Sequence, residues 1–324
     1  MESVVVENLG KRFKELEAVR DVSFTVRERE VFGFLGPNGA GKSTTINVLC
    51  TLLRPTSGSA RVAGFDVVRE QTGVRRSIGL VFQDTTLDEY LTAEQNLKFH
   101  AYAYGVPRAI ANQRIEELLK LMQLWDRRKE STRKYSGGMK RRLELARGLI
   151  HRPRVLFLDE PSLGLDPQAR CNIWQYVLDV RKQEDLTIFM TTHYMDEAEY
   201  CDRIAVIDKG GLVALGTPEE LKRGVGGDVI SLKAEDLVAV QKELRDRYSI
   251  ESEMENGNVR FTVPQGAEFL PDFVRNSSQR MQSISVRRPT LDDVFLKLTG
   301  HAIRNEAADA RTNLRGTRWG SGRR

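Results

Sequence analysis

Nine consecutive residues, Gly36-Pro37-Asn38-Gly39-Ala40-Gly41-Lys42-Ser43-Thr44, have the composition needed to hold a chain of phosphates. The first eight fit the spacing G-x-x-x-x-G-K-[ST], with the apolar run Val31–Leu35 before them and a helical pattern over Thr44–Leu53 after them. Glycines let successive backbone N–H groups turn inward on one anion. A helix that starts there adds about half a positive charge at its N-terminus. The Lys42 ammonium reaches the β- and γ-phosphates, and the Ser43 hydroxyl is a hard oxygen ligand suited to Mg2+.

A second apolar run, Val155–Leu158, ends in the adjacent acids Asp159 and Glu160. Alone, such a pair reads as a solvated turn or a helix cap. Beside a phosphate loop it has a chemical reading: Asp159 holds Mg2+ directly or through water, and Glu160 polarises the attacking water as general base. Neighbouring side chains on an extended chain point in different directions, so one acid can face the metal and the other the water.

These residues need a frame. Val4–Val6, Val22–Val26, Val31–Leu35, Ile78–Phe82, Val155–Leu158, Ile188–Thr191 and Ile204–Ile207 read as strands. Continuous apolar strands suit a sheet buried on both faces, so the fold class is α/β. Between Gln83 and Tyr135 the strand signal stops, and helical patterns fill 92–104 and 108–124, with Ile115, Leu118, Leu119 and Met122 on one face. After Gly224-Val225-Gly226-Gly227 the order becomes strand, helix, strand, strand, helix, strand, a βαββαβ arrangement of ferredoxin-like type. A last helix, Leu291–Leu298, has Thr290 and Asp293 as a capping box and Gly300 as its stop. Its apolar positions 291, 294, 295 and 298 are expected to dock it on this small domain.

Length and charge bound the classes. The 324 residues suggest about two domains. The longest runs without Asp, Glu, Lys or Arg are eleven residues, whereas a membrane-spanning helix needs about 20 apolar ones. No signal peptide is expected from Met1-Glu2-Ser3-Val4. Three dispersed cysteines fit neither a disulfide framework nor a zinc site, and point to a reducing compartment, the cytoplasm. The net charge is +5, of which residues 301–324 carry six Arg against Glu306 and Asp309. The body is therefore nearly neutral, which argues against a nucleic-acid partner. The basic tail reads as disordered and solvated, or as weakly drawn to anionic lipid heads.

Tyr135-Ser136-Gly137-Gly138-Met139, followed by the helical pattern Lys140–Leu149, resembles the signature of the ABC-transporter ATPases, usually Leu-Ser-Gly-Gly-Gln. Tyr135 and Met139 depart from it, while Ser-Gly-Gly is kept. The resemblance spans about residues 2–223. It implies a P-loop NTPase of ABC type, binding ATP and Mg2+, with a helical subdomain over about 84–150. It also implies a head-to-tail homodimer, in which Ser136, Gly137 and Gly138 bind the γ-phosphate held by the other subunit.

Other roles follow from the same resemblance, in the family's order along the chain. Gln83 is the Q-loop glutamine, contacting Mg2+ or the lytic water. Asp166, in Ser162-Leu163-Gly164-Leu165-Asp166, closes the D-loop that crosses the dimer interface. His193 is the switch histidine on the γ-phosphate, and Phe13, 23 residues before Gly36, is the aromatic that stacks on adenine. The stretch Val286–Gly300 resembles the end of daunorubicin-resistance-type ATPases, partners of separate ABC-2-type membrane permeases. It implies efflux of a drug-like or lipid-like substrate, with the chain on the cytoplasmic side of the cell membrane through the permease. Leu87, Tyr90 and Leu91 are candidates for the permease contact, unless they pack inside the helical insertion. Soluble ABC ATPases of translation or DNA maintenance usually carry two cassettes, coiled coils or zinc modules, and this sequence has none.

Overall fold

The computed structural model describes residues 1–255 and 257–300. The basic tail at 301–324 and the turn residue Asn256 lie outside the described residues. Six strands form the central sheet: β3 (Val31–Leu35), β6 (Ile78–Val81), β7 (Val155–Asp159), β8 (Thr187–Thr192), β9 (Arg203–Asp208) and β10 (Gly211–Gly216). Their order is β10-β9-β3-β8-β7-β6, parallel except for the antiparallel edge strand β10. Every residue of β3, β7 and β8 is buried, because both faces are covered. This is the burial that continuous apolar runs require.

One face is covered by a second sheet, in the order β2-β1-β4-β5. It contains β1 (Glu2–Phe13), β2 (Leu16–Arg27), β4 (Ser57–Val62) and β5 (Phe65–Asp66). Between the sheets Phe24, Phe32, Phe34, Phe157 and Phe189 meet at ring separations of 5.4–5.9 Å. The helices α1 (Lys42–Leu49) and α2 (Gln71–Ser77) join this core through Ile46, Val48, Leu49 and Val74. The other face is covered by α3 (Ala93–Ala103), α4 (Arg108–Leu121), α5 (Gly137–Leu149) and α6 (Pro167–Gln183). The insertion between Gln83 and Tyr135 is thus helical, as its periodicity predicts. Leu87, however, is 8% exposed and belongs to this core, so it packs inside the insertion and is not a surface contact.

The short helices α7 (Met195–Ala198) and α8 (Pro218–Arg223) lead to the third sheet, in the order β12-β13-β11-β14. It is built from β11 (Asp228–Ala234), α9 (Leu237–Tyr248), β12 (Ser252–Glu255), β13 (Asn258–Val263), α10 (Gly266–Asn276) and β14 (Met281–Arg287). This is the βαββαβ order, with its own core of Ile230, Leu232, Val240, Leu244, Phe261 and Phe273.

The last helix, α11 (Leu291–Thr299), corrects one expectation. Leu291, Val294 and Phe295 join the core of the first body, against α7, α8 and β10, and not that of the small sheet. Periodicity shows that a face is buried but not what buries it. The helix is tied to the small sheet by charge. Asp293 caps it by accepting from Thr290 N at 2.7 Å, and pairs with Arg287 and with Arg260 on β13. Burial alone would raise the Asp293 carboxyl, but Arg287 and the Thr290 amide overcome it and hold it below its ordinary 3.8.

A depressed carboxyl stabilises the fold above its unfolded pKa, and that stability is lost as pH falls through the folded value. Asp293→Asn is therefore expected to cost about 2–3 kcal/mol at neutral pH, less than a fully buried pair because Arg287 is half-exposed. Denaturant melts at pH 7 and pH 3 should show the difference narrowing in acid.

Candidate functional site

The phosphate loop joins β3 to α1, at the C-terminal end of a parallel strand where ligand crevices of α/β sheets form. Gly39 and Gly41 take φ of +80° and +101°, a region glycine enters without strain. Gly41 also faces the Ala18 carbonyl of β2 so closely that a Cβ would lie 2.4 Å from it. This contact lays the β1–β2 hairpin along the loop. Phe13 stands near the tip of that hairpin, half-exposed, with the Lys11 ammonium 4.9 Å from its ring centre.

Lys42 is buried beneath the loop, where its ammonium donates to the Gly36 and Pro37 carbonyls at 2.8 and 3.1 Å. It also lies 3.1 Å from Glu160 Oε1. The other carboxylate oxygen of Glu160 accepts from His193 Nδ1 at 3.1 Å. Burial would raise the Glu160 carboxyl, but the His193 hydrogen bond and the Lys42 charge together hold it below its ordinary 4.5. Glu160 is thus an ionised, buried acceptor between two groups from separate elements. Ser43 Oγ donates to Asp159 Oδ1 at 3.1 Å, and Thr191 Oγ1 donates to the same oxygen at 2.5 Å.

Ser43 and Asp159 offer hard oxygen donors side by side, which suits Mg2+. Among the described residues no group of three or more His, Cys, Asp or Glu could hold a metal ion by itself. A Mg2+ ion at Ser43 and Asp159 would therefore take most of its ligands from phosphates and water, its usual habit in nucleotide sites. Gln83, on the exposed loop after β6, is not hydrogen-bonded to Ser43, Asp159 or Glu160.

The Ser-Gly-Gly segment lies elsewhere. Ser136 is the N-cap of α5, accepting from Met139 N at 3.3 Å, and Ser136 and Gly137 are exposed. A Cβ on Gly137 or Gly138 would meet nothing of this chain closer than 3.7 Å. Internal packing therefore does not demand glycine there, and the open space is available to an outside ligand. Tyr135 and Met139 point the other way. Both are buried around Arg127, whose carbonyl accepts from the Tyr135 hydroxyl at 2.8 Å and whose Nη1 lies 3.2 Å from Met139 Sδ. These two departures from the usual signature are packing residues. Asp166 caps α6 by accepting from Ala169 N at 2.9 Å, and with Ser136, Gly137 and Gly138 it lines a cavity of about 390 Å3.

Sequence reasoning missed several residues that build the site. Thr191 receives the Glu160 amide on its hydroxyl at 3.0 Å while donating to Asp159. Glu197, buried, accepts from Ser162 beside the 162–166 turn and from Thr192 beside His193, and burial raises its carboxyl. Arg170 on α6 stacks 3.7 Å from the Tyr194 ring, which lies 4.0 Å from the His193 ring. A usable signal existed for Thr191 and Thr192: hydroxyls closing an otherwise apolar buried strand at its C-terminal end.

A phosphate loop over a buried Lys–Glu–His contact, with a Ser–Asp pair beside it, defines a nucleotide-hydrolysing cassette. Residues 19–163 match the family profile described as ABC transporter, and residues 216–299 that of the ATP-binding protein DrrA1-3-like C-terminal domain. The chain is 39% identical to the doxorubicin resistance ATP-binding protein DrrA of Mycobacterium tuberculosis, over 92% of this chain and 93% of that one. It is 40% identical to the daunorubicin resistance ATP-binding protein DrrA3 of Streptomyces coeruleorubidus, over 92% and 96%. Among solved structures, cbiO1 of Clostridium perfringens, part of the ABC transporter complex cbiONQ, matches with a TM-score of 0.64 at 28% identity, covering 76% of this chain and 97% of that one. A dimeric cassette, MJ0796 bound to ADP and Pi, matches with a TM-score of 0.59 at 26% identity, covering 66% and 98%. The chain belongs to the ABC transporter ATP-binding family, in its daunorubicin/doxorubicin-resistance branch.

Proposed function

We propose that this chain is the ATP-hydrolysing subunit of an ABC-2-type exporter, driving efflux of a drug-like or lipid-like substrate through a separate membrane permease. The observation that carries the reading is Glu160, ionised between Lys42 and His193 at the mouth of the phosphate loop. The loop Gly36–Thr44 holds the phosphates, chiefly on its backbone N–H groups after Pro37, Lys42 neutralises their charge, and Phe13 stacks on adenine. Ser43 and Asp159, together with Gln83, would hold Mg2+, which would neutralise charge on the phosphates. Glu160 takes the proton of the attacking water, and His193 orients the γ-phosphate. Residues 1–223 are the ATPase domain and 228–300 an accessory domain whose helix α11 packs on the ATPase core.

The Ser136-Gly137-Gly138 end of α5 and Asp166 serve a second copy of the chain, an assembly supported by the dimeric relative. No helix among the described residues is long and apolar enough to cross a membrane. The permease instead meets the helical insertion on the cytoplasmic side of the cell membrane. Tyr90, 83% exposed, and the exposed Phe99 and Tyr102 on α3 offer aromatic contacts for it, in place of the buried Leu87. Leu91 is half-buried.

The test is hydrolysis of Mg-ATP by the purified chain, together with identification of the membrane protein that co-purifies with it. A chain that binds ATP without turnover, or a partner with no transport function, would count against the reading.

Ser136→Arg tests the dimer. Ser136 is exposed and its hydroxyl serves as a helix cap worth about 1 kcal/mol, so the variant should fold and bind ATP. With the base also removed (Glu160→Gln), the ATP-dependent dimer should form in sedimentation, and adding Ser136→Arg should abolish it. A dimer that persists would remove Ser136 from the interface.

A further inference from the structure

We propose, on the ATP-hydrolysing reading of the site, that Arg141 is a positioning residue that holds Glu160 in its working geometry and ties it to the Gln83 loop. Arg141 lies on α5, five positions after Ser136, and is 7% exposed. A guanidinium has five N–H donors in one planar fork. In this chain all five are used. Nε donates to the Pro161 carbonyl, and Nη1 to the Phe82 carbonyl and Glu144 Oε2. Nη2 donates to the Asp159 and Glu160 carbonyls, both at 3.2 Å. Three separate segments, the end of β6, the middle of α5 and the turn after β7, meet on one flat group.

The two carbonyls on Nη2 flank the torsion that matters. Glu160 has φ of +45°, an unusual conformation for a residue with a side chain. Such a backbone persists only where its surroundings over-determine it. Here the carbonyl on either side of the torsion is fixed by Arg141, and the intervening amide is fixed by Thr191. The side chain is thereby aimed between Lys42 and His193.

Glu144, one turn further along α5, extends the clamp. It pairs with Arg141 at 3.1 Å and accepts the Thr86 amide at 2.7 Å. Phe82 and Thr86 stand on either side of Gln83, so the loop is held at both ends by the helix that begins at Ser136. A displacement of α5 reaches Glu160 through these bonds. An apolar pair of similar volume could fill the space, so burial by itself does not call for these charges. The five directed bonds do, and lysine cannot replace them, because its ammonium has three donors and no plane.

The experiment compares wild type, Arg141→Lys, Glu144→Gln and the double variant in nucleotide affinity, kcat and melting temperature. Arg141→Lys keeps a cation for Glu144 but releases the carbonyls of 159–161. It should bind ATP within about threefold of wild type and lose roughly 100-fold in kcat, the scale expected when a reacting group is misplaced by about an ångström. Glu144→Gln should lower kcat in the same direction, and the double variant should be no worse than Arg141→Lys, because the two act as one unit. A folded Arg141→Lys with wild-type kcat, or with affinity and kcat reduced by the same factor, would overturn the proposal. If Arg141→Lys does not fold, Glu144→Gln decides: reduced kcat with affinity kept supports the clamp, and unchanged kcat overturns it. A wild type that does not hydrolyse ATP would overturn the ATPase reading itself, whereas an active wild type beside an equally active Arg141→Lys overturns only this inference.

Discussion

Glu160→Gln should bind ATP with little change and lose about 10²–10⁴-fold in hydrolysis rate, the usual consequence of removing a general base. The substitution keeps the shape of the side chain. Its amide oxygen can still accept from His193 or Lys42, and Lys42 keeps the Gly36 and Pro37 carbonyls. What disappears is the negative charge that receives the proton of water. Steady-state hydrolysis and calorimetric titration with nucleotide on the same preparation separate the two effects. A variant that retains near-normal turnover would mean that another group takes the proton.

Lys42→Ala is the opposite case, in which binding itself should fail. Hydrogen bonds to charged groups are worth about 1.5–3 kcal/mol each, so loss of the contacts to two phosphates predicts at least about 100-fold weaker ATP affinity. The variant also removes one of the two groups that depress the Glu160 carboxyl. In the wild type that depression stabilises the fold above the ordinary value of 4.5, and the contribution fades as pH falls through the lower folded value. In Lys42→Ala the carboxyl should titrate higher. Melting temperatures measured against pH should therefore show the variant least stable relative to wild type near neutrality, with the gap closing below pH 4.5. A gap that does not depend on pH would mean that the two groups are not coupled.

Much of this was legible in the amino-acid sequence, for a physical reason. The phosphate loop, the Asp159-Glu160 pair and the strands β3, β7 and β8 are local, and their signal is carried by neighbouring residues. The strands left unread are those without a continuous apolar run: β4, with alternating exposure; β5, only two residues long; and the half-buried edge strand β10. The residues that complete the site escaped for another reason. Arg141 sits 18 to 59 positions from the Asp159, Glu160, Pro161 and Phe82 carbonyls it holds, and only the folded chain brings them together. One hint was present, a cation set among Gly137, Gly138, Leu145 and Gly148 on the turns of α5. The burial of Leu87 likewise depends on which helices close over it, which its immediate neighbours do not specify.

The docking of α11 sets the order in which the chain can be completed during synthesis. Met195, Ala198 and Val225 belong to the core that Leu291, Val294 and Phe295 close, yet those three leave the ribosome after the whole small domain. Chains generally fold domain by domain as they emerge. Until residue 295 is free, the first body must therefore wait with part of its apolar surface uncovered, and the small domain must fold within a loop whose far end is still unanchored. The nascent protein is open to aggregation or chaperone capture at that patch. That part of the core of the first body closes only once α11 is in place.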